Sequence, residues 1–231
     1  MSLSKLPEVS RIIVTYNIPE ITKIGAVSKV EVINNPVPQG FGVNHNVAFR
    51  LCQDEFFCVI NPDIYFPKNP FPLLLDTLSA YMAAVVSPAA LSSDGNIEDN
   101  ARRFPTPLGL LKKFLRVSDG RYQYTIGDKP FVVDWVGGMF MLFRAVDYKC
   151  VSGFDENFFL YYEDVDICVR LWKVHRSVCI CPNVQVIHNA RRASRRDLRH
   201  MLWHFVSMMR YFYKYLGRLP SSLGSSLKCN A

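Results

Sequence analysis

Three carboxylates lie together inside an aromatic and apolar stretch of this sequence. Glu163, Asp164 and Asp166 fall within the segment FFLYYEDVDICVRLW. Burying apolar surface is favourable, whereas burying an unpaired charge is costly, so these acids need a compensating role. Two roles are open: the acids cap the start of a helix, or they wait for a cation or for a proton of a substrate.

A further acid follows a strand-like run nearer the start of the chain. Asp63 comes directly after FFCVINP, and Pro62 removes a backbone donor, so we expect the strand to end there. Ligands of open α/β sheets collect at the carboxyl ends of the strands, which makes Asp63 a candidate site residue. The alternative is that the Asn-Pro-Asp sequence only turns the chain.

The elements that must position these acids alternate along the chain. Runs rich in β-branched residues predict strands, and apolar residues at helical spacing predict helices. Strands are predicted at RIIVTYN, KVEVINN, FFCVI and AAVVSPAAL, with a strand pair at SVCICPNVQVIHN. The segment FVVDWVGGMFMLFRAVDYKCVSGFD predicts a strand, a Gly-Gly break, a second strand, and then a short helix and a turn. Further helices are predicted at NPFPLLLDTLSAYMA, LGLLKKFLRV, YYEDVDICVRLWKVH and RRDLRHMLWHFVSMMRYFYKYLG. This alternation indicates an α/β sheet. The Ser-rich tail PSSLGSSLKCNA is expected to be disordered.

Composition limits the cell compartment. The chain has 231 residues, of which 49% are hydrophobic, enough for one substantial core. Its seven cysteines are scattered without a CxxC pair, which argues against a disulfide framework and for the cytoplasm. The opening segment has no apolar signal core, and no run reaches the roughly 18 to 20 apolar residues of a membrane span. We therefore expect a soluble protein or one on the inner face of a membrane.

The positive charge of the chain is concentrated late. The formal net charge is +7, and the segment NARRASRRDLRH alone supplies five arginines. Nucleic acid, anionic lipid and a phosphorylated small molecule would all be attracted by it. No nucleic-acid-binding module accompanies the charge, so nucleic acid is not expected as a partner. The basic, aromatic helix that follows suits an anionic membrane surface; the alternative is packing across the domain with a solvated basic side.

Four segments in order resemble a known family, the family 2 inverting glycosyltransferases of the GT-A fold. The segments are NPVPQGFGVNHNVAF, VINPDIYF, VDWVGGMFMLFRAVDYKCVSGFDENFFLYYEDVDICVRL and VQVIHN. The likeness is especially to bacterial rhamnosyltransferases of O-antigen and cell-wall assembly. It implies an α/β fold, a GT-A-like (Rossmann-like) mixed sheet flanked by helices over residues 1–190. Residues 191–231 would form a basic aromatic helix and a flexible tail.

The resemblance also implies an activity and its residues. The enzyme would move a sugar, with rhamnose as a candidate, from a nucleotide-diphosphate donor to a glycan or lipid-linked acceptor with inversion. Asp63 would belong to a DxD-type site for Mg²⁺ or Mn²⁺, which His188 could complete. Asp164 would act as base and Glu163 would position the acceptor. Donor contacts are implied for Gly40, Gly42, Asn44, Asn46, Asp63, Arg191 and Arg192, and acceptor contacts for Trp135, Gly137, Gly138 and Glu163.

Three alternatives stand beside these roles. Asp166 lies two residues after Asp164 and is expected to cap the helix or to form a salt bridge. His188 could be structural, as a lone histidine at a strand end often is. A zinc site from His175, Cys179, Cys181 and His188 is disfavoured, because Cys-x-Cys lacks the usual knuckle spacing.

The sequence departs from the family near its start. Relatives begin with a strand, a helix and a second strand that ends in an Asp-Asn pair at the nucleotide base. Here Asn17 and Asn34 are too close in sequence for that whole unit. The nucleotide-binding unit is therefore expected to be incomplete. The alternative function is a catalytically degenerate GT-A-fold protein that acts as a binding or membrane-surface module.

Overall fold

The structure is a computed structural model that describes residues 2–18, 27–189 and 198–220. Its strands are β1 (Ile12–Tyr16), β2 (Val30–Asn34), β3 (Phe56–Ile60), β4 (Ile64–Tyr65), β5 (Val85–Ser92), β6 (Ala101–Arg102), β7 (Phe131–Val132), β8 (Trp135–Val136), β9 (Phe140–Arg144) and β10 (Val178–His188). Its helices are α1 (Phe41–Phe49), α2 (Phe71–Ala80), α3 (Pro107–Phe114), α4 (Ala145–Cys150), α5 (Glu163–Lys173) and α6 (Leu198–Tyr215).

A mixed sheet organises the molecule. Its strand order is β3-β9-β5-β10-β4, and β7 pairs with β10. β9 is antiparallel to both β3 and β5, and β5 is parallel to β10. Strands β3, β5 and β10 therefore point the same way. Their carboxyl ends lie at one edge of the sheet, where β9 begins, so the loops that follow these strands gather there.

Both faces of this sheet are covered. Along β9, Phe140 and Leu142 belong to one buried cluster, and Met141 and Phe143 belong to another. This alternation is that of a β-strand between two apolar layers. Helix α2 contributes Leu74 and Leu78 to the first layer; helices α5 and α6 contribute to the second. The α/β architecture expected from the sequence is confirmed.

The last sheet strand corrects one expectation. SVCICPNVQVIHN is predicted as a strand pair, but β10 is a single strand over Val178–His188. Its parallel pairing with β5 shifts register between Cys181 and Gln185. Pro182 lies at this shift and has no N–H for a ladder hydrogen bond, which accounts for the local break in an otherwise continuous strand.

The two N-terminal strands form a separate parallel pair. The register runs from Ile12 opposite Val30 to Tyr16 opposite Asn34. Both predicted strands are therefore present, and Asn17 and Asn35 follow them side by side. Residues 19–26 of the connection lie outside the described residues. The expected loss of part of the nucleotide-binding unit falls on this connection and stays a prediction from the sequence.

Helix α6 packs on the second layer. Tyr211 and Tyr215 are buried, and the Ser207 hydroxyl donates to the Leu160 carbonyl at 2.8 Å. Residues 191–197 and the predicted disordered tail from 221 onward lie outside the described residues. In the described ranges, no helix is both long and apolar enough to cross a membrane.

Candidate active site

Helix α5 begins with an unusual backbone turn. Tyr161 and Tyr162, directly before it, have φ angles of 70° and 66°, in the left-handed region. For aromatic residues this conformation costs about 1 to 3 kcal/mol each and persists only where the surroundings fix it. Tyr162 is buried, and the Tyr161 hydroxyl bonds His200 Nδ1 at 2.9 Å. The turn delivers Glu163 and Asp164 to the first turn of α5.

Backbone N–H groups hold the Asp164 carboxylate. Oδ2 accepts from the Gly138 N–H at 3.0 Å, and Oδ1 accepts from the Val165 N–H at 2.8 Å. Burial raises the pKa of Asp164, although these hydrogen bonds oppose the rise by stabilising the ionised form. Because Gly138 directly precedes Met139 and β9, the acid is fixed to the edge where β3, β5 and β10 end.

Glu163 is the less satisfied of the pair. Its side chain is buried, with 5% of the residue exposed, and Oε2 has no hydrogen-bond partner. Burial, and then the neighbouring charge of Asp164, raise the pKa of Glu163 well above its usual range. Buried polar atoms without a partner are uncommon in native proteins. This oxygen could therefore take a hydroxyl of a bound ligand.

The acid pair opens onto a cavity of about 790 Å³. A cavity of this volume is within the usual range for small-molecule sites, about 300 to 1,000 Å³. Helix α3 and helix α6 form much of its wall, together with the segments 102–106 and 118–120. Its aromatic and cationic lining includes Arg102, Arg103, Phe104, Lys112, Lys113, Trp135, Tyr161, Tyr162 and His204. The arrangement can bind a polar ligand with apolar faces next to two carboxyl groups.

The predicted acceptor residues differ in their position relative to this cavity. Trp135 lines it, and its indole N–H donates to the Arg103 carbonyl at 2.9 Å, which fixes the ring. Gly137 and Gly138 are not among the lining residues. A Cβ on Gly138 would lie 3.4 Å from the Phe41 ring and 3.5 Å from Asp164 Cβ. The observed role of Gly138 is to let the backbone approach Asp164 closely.

Asp63 and His188 lie at the same edge of the sheet. Asp63 follows β3, His188 ends β10, and the Asn189 N–H donates to the Asp63 carbonyl at 3.0 Å. His188 Nε2 lies 3.4 Å from Asp63 Oδ1, and Nδ1 lies 2.6 Å from Glu98 Oε2. Sequence reasoning missed Glu98, although it follows the predicted strand AAVVSPAAL within a loop at this edge.

These residues fit a hard divalent cation. Asp63 Oδ1 is buried without a hydrogen-bond partner, and carboxylate oxygens are the ligands that Mg²⁺ and Mn²⁺ prefer. Within the described ranges, no three His, Cys, Asp or Glu side chains already converge as metal ligands. Both acids instead face the His188 ring, so further oxygens would have to come from a bound ligand.

The two groups of acids flank the start of β9. The Asn61 N–H donates to the Met139 carbonyl at 2.9 Å, and the adjacent Gly138 N–H holds Asp164. The segment 138–139 thus contacts the loop of Asp63 on one side and the acid pair on the other. Asp63 and His188 do not line the cavity described above.

The two predicted donor glycines lie at the start of α1. Gly40 precedes α1 and Gly42 lies within it. A Cβ would lie 2.9 Å from the Phe159 carbonyl oxygen at Gly40, and 2.8 Å from Phe154 Cβ at Gly42. Real Cβ atoms do not approach so closely, so both glycines serve the packing of α1 against residues 154–159. Donor contacts at these positions stay a prediction.

The two predicted donor asparagines have different surroundings. Asn46 Oδ1 accepts from the Tyr148 hydroxyl at 2.7 Å and from the Phe154 N–H at 2.9 Å, and its amide nitrogen donates to the Phe154 carbonyl. This side chain ties α1 to the loop before α5. Asn44 Oδ1 instead accepts from Asn35, which also donates to Asn17. Arg191 and Arg192 lie outside the described residues.

Comparison with known proteins identifies the family. The family model "Glycosyl transferase family 2" matches residues 15–150. Rhamnosyltransferase WbbL of Escherichia coli K12 is 30% identical over 183 residues, covering 74% of this chain and 69% of that protein. N-acetylglucosaminyl-diphospho-decaprenol L-rhamnosyltransferase of Mycobacterium tuberculosis is 29% identical over 166 residues, covering 67% of this chain and 53% of that protein. The chain thus spans about half the length of the latter relative.

Solved structures agree on the fold. GalNAc-T7 with UDP, GalNAc and Mn²⁺ superposes with a TM-score of 0.57 at 13% identity, over 79% of this chain and 38% of that chain. S. aureus TarS with UDP-GlcNAc gives a TM-score of 0.57 at 12% identity, over 83% of this chain and 53% of that chain. At such identities the likeness concerns the fold alone, and the fold is that of GT-A glycosyltransferases. The family model matches more than half of this chain. The chain therefore belongs to glycosyl transferase family 2.

Proposed function

We propose that this chain transfers a sugar from a nucleotide-diphosphate donor to a hydroxyl of a glycan or lipid-linked acceptor, with inversion at the anomeric carbon. The observation that carries the proposal is the acid pair at the cavity, where Glu163 keeps an unpartnered buried oxygen. Rhamnose is the first candidate sugar, because two relatives are named as rhamnosyltransferases. A lipid-linked acceptor is supported by the diphospho-decaprenol in one of those names.

Asp164 acts as the base in this proposal. Its carboxylate accepts the proton of the acceptor hydroxyl while that oxygen forms a bond to the anomeric carbon. The bond from this carbon to the diphosphate oxygen breaks, and its electron pair leaves with the nucleoside diphosphate. Attack from the face opposite the leaving group gives inversion. The N–H groups of Gly138 and Val165 keep the carboxylate oriented through the step.

Glu163 positions the acceptor. Its buried Oε2 would gain a hydrogen bond from the ligand that the protein itself does not supply. Because an unsatisfied buried oxygen costs about 1 to 3 kcal/mol, filling it favours a bound acceptor hydroxyl next to Asp164. Trp135 offers an apolar ring face in the same cavity, and sugar rings stack on such faces.

Asp63 and His188 would hold a Mg²⁺ or Mn²⁺ ion beside the donor diphosphate, and Glu98, at the Nδ1 side of the ring, would orient the His188 imidazole. When bound, such an ion would neutralise the charge that develops on the leaving diphosphate. The unpartnered Oδ1 of Asp63 supports this assignment, and the solved structure of GalNAc-T7 contains Mn²⁺ together with UDP. Gly40, Gly42, Asn44 and Asn46 stay proposed donor contacts, as do Arg191 and Arg192 for the diphosphate.

We place the reaction on the cytoplasmic side of the cell membrane. Six cysteines in the described ranges are free thiols, which suits a reducing compartment. A lipid-linked acceptor would hold its sugar at the membrane surface.

Transfer from thymidine diphosphate rhamnose to a lipid-linked N-acetylglucosamine acceptor tests the proposal. The product's anomeric configuration is read by NMR, with other nucleotide sugars as alternative donors. Asp164→Asn is expected to lower turnover about 10²- to 10⁴-fold, the usual contribution of a general base. Asp76→Asn removes an exposed acid of α2 and is the matched control.

The metal is tested in the same assay with EDTA and with Asp63→Ala. Both are expected to abolish most of the turnover, and excess Mn²⁺ should restore the EDTA-treated protein but not the variant. Full activity under both conditions would contradict the roles given to Asp63 and His188. A product of retained configuration would contradict the role given to Asp164. Absence of transfer, without any donor-dependent thermal shift, would favour the alternative of a binding module.

A further inference from the structure

Helix α6 exposes an apolar face that nothing in the described ranges covers. Its opposite face packs on the domain through Ser207, Tyr211 and Tyr215. Its exposed apolar residues fall at the i, i+3, i+4 spacing of one helix face: Leu198, Met201, Leu202, Phe205, Val206, Met209 and Tyr213, with Leu216 directly after the helix. A helix of a soluble protein normally carries polar residues on its outer face. The outer face of α6 therefore needs a partner.

Helix α3, which shares the cavity wall with α6, has the same property. It has no buried residue, and it exposes Leu108, Leu111 and Phe114, the last of them to 82%. Leu115 and Val117 continue the exposed apolar surface. The two helices adjoin, since the Tyr211 hydroxyl of α6 donates to the Pro105 carbonyl just before α3 at 3.2 Å. We call the outer surfaces of α3 and α6 together the α3–α6 face.

The charged side chains carried by the two helical segments of this face have one sign. Residues 105–117 and 198–220 contain no Asp and no Glu. Apart from Lys214, which pairs with Asp155 and Asp166 on the packed side, their cations are Lys112, Lys113, Arg116, Arg199, Arg210 and Arg218. Exposed apolar side chains among cations, without acids, match the interface of an anionic bilayer, where apolar groups enter the lipid and cations meet the head groups. A second copy would bring two cationic faces together, which disfavours self-association.

We propose that the α3–α6 face docks on an anionic membrane surface. Both helices line the 790 Å³ cavity, α3 through Leu110 and Lys112 among others and α6 through His204 and Met208, whereas Leu111, Phe114 and Phe205 are not lining residues. Docking therefore brings the cavity next to the lipid surface, where Glu163 and Asp164 can reach a sugar carried on a lipid. The inference rests on the proposed function only for the nature of that acceptor.

Flotation of the full chain with vesicles tests the docking. One set contains phosphatidylcholine alone, and the other contains about one third phosphatidylglycerol. The chain is expected to float with the anionic vesicles only, and high salt should weaken the binding. The double variant Leu111→Asp, Phe114→Asp and the single variant Phe205→Asp should each weaken it at least about tenfold. Val146→Asp, at an exposed apolar position of α4, is the matched control.

Three results would overturn the proposal. They are absence of binding to anionic vesicles, equal binding to both vesicle types, and binding that the α3 and α6 variants leave unchanged. A stable dimer in light scattering that these variants dissociate would assign the face to a second copy instead. Circular dichroism verifies that each variant is folded. The variants should transfer sugar to a short water-soluble acceptor as fast as the wild type does, because this acceptor does not require docking. If the wild type itself did not transfer to this acceptor, that result would count against the proposed function and not against docking.

Discussion

At the scale of single residues, the buried carboxyl of Glu163 makes stability depend on pH. Burial and the charge of Asp164 raise its pKa in the folded state, whereas the unfolded chain should titrate near the ordinary value of 4.5. Between these two values the folded state binds more protons than the unfolded state. The contribution of Glu163 to the free energy of unfolding is therefore largest below pH 4.5, and it decreases as pH rises toward the folded-state pKa.

Glu163→Gln should remove this dependence. The amide keeps the shape of the side chain and cannot ionise, so, as pH rises above 4.5, the free energy of unfolding in urea should fall less for the variant than for the wild type. Glu156→Gln, an exposed acid in the preceding loop, serves as control. If wild type and Glu163→Gln gave parallel pH profiles, the carboxyl would not be protonated in the folded state and its proposed positioning role would need revision.

The sequence predicts which acids are unusual but not what surrounds them. Glu163, Asp164 and Asp166 stand out because charge is misplaced in an apolar segment. The structure then separates them: Asp166 forms salt bridges with Arg170 and Lys214, as expected, whereas the other two face the cavity. Glu98 gave no local signal, because an acid in a polar loop is ordinary until the sheet brings it to His188.

At the scale of elements, α1 is fastened to the loop before α5 by one side chain. Asn46→Ala would leave the buried Tyr148 hydroxyl and the Phe154 N–H without their partner. Each lost buried partner costs about 1 to 3 kcal/mol, so the free energy of unfolding should fall by about 2 to 6 kcal/mol. Chemical denaturation measures this loss. The Michaelis constant for the donor should stay unchanged if Asn46 serves only the packing.

Asn44→Ala is the matched control on the same helix. Among the described residues, the Asn44 side-chain carbonyl accepts from one donor, Asn35 near the ends of β1 and β2, so the stability loss should be smaller. A rise in the donor's Michaelis constant in Asn44→Ala alone would separate a ligand contact from a structural one. A rise of the same size in Asn46→Ala would show that Asn46 contacts the donor in addition to its packing role.

Local pattern predicts elements better than it predicts their pairing. The β-branched runs that become β1, β2, β3, β5 and β9 are recognisable one by one, and so is the short helix α3. The insertion of β9 between β3 and β5 follows from contacts far apart in sequence, which periodicity does not encode. The same limit applies to GFGVNHNVAF, where two glycines suggest a turn although tight packing against Phe154 and Phe159 explains them inside and before a helix.

At the scale of the whole molecule, α6 is joined to the segment that carries the acid pair. Asp166 is fully buried and accepts from Lys214 and from the Tyr215 hydroxyl, both at 2.6 Å. Lys214 also bonds Asp155 at 2.6 Å, in the loop that follows α4. Lys214 of α6 thus contacts the first and the last residue of the segment 155–166. Helix α6 therefore contributes to the geometry of the site, although the carboxylates of the site lie on other elements.

Lys214→Met tests this connection. Burial alone would raise the pKa of Asp155, but hydrogen bonds from Lys214 and Asn157 lower it to about 2. The stability from this contact is thus present above pH 3.8, the ordinary value, and is lost as pH falls toward 2. Removing the lysine also leaves buried Asp166 with fewer partners, so we expect a loss of about 2 to 4 kcal/mol at neutral pH. Acid unfolding, followed by circular dichroism, should begin at a higher pH than in the wild type. Arg210→Met is the control, because it removes one cation from an exposed position of α6 and should change neither measurement. Equal effects of the two variants would mean that net charge, and not the contacts of Lys214, sets the stability of the molecule.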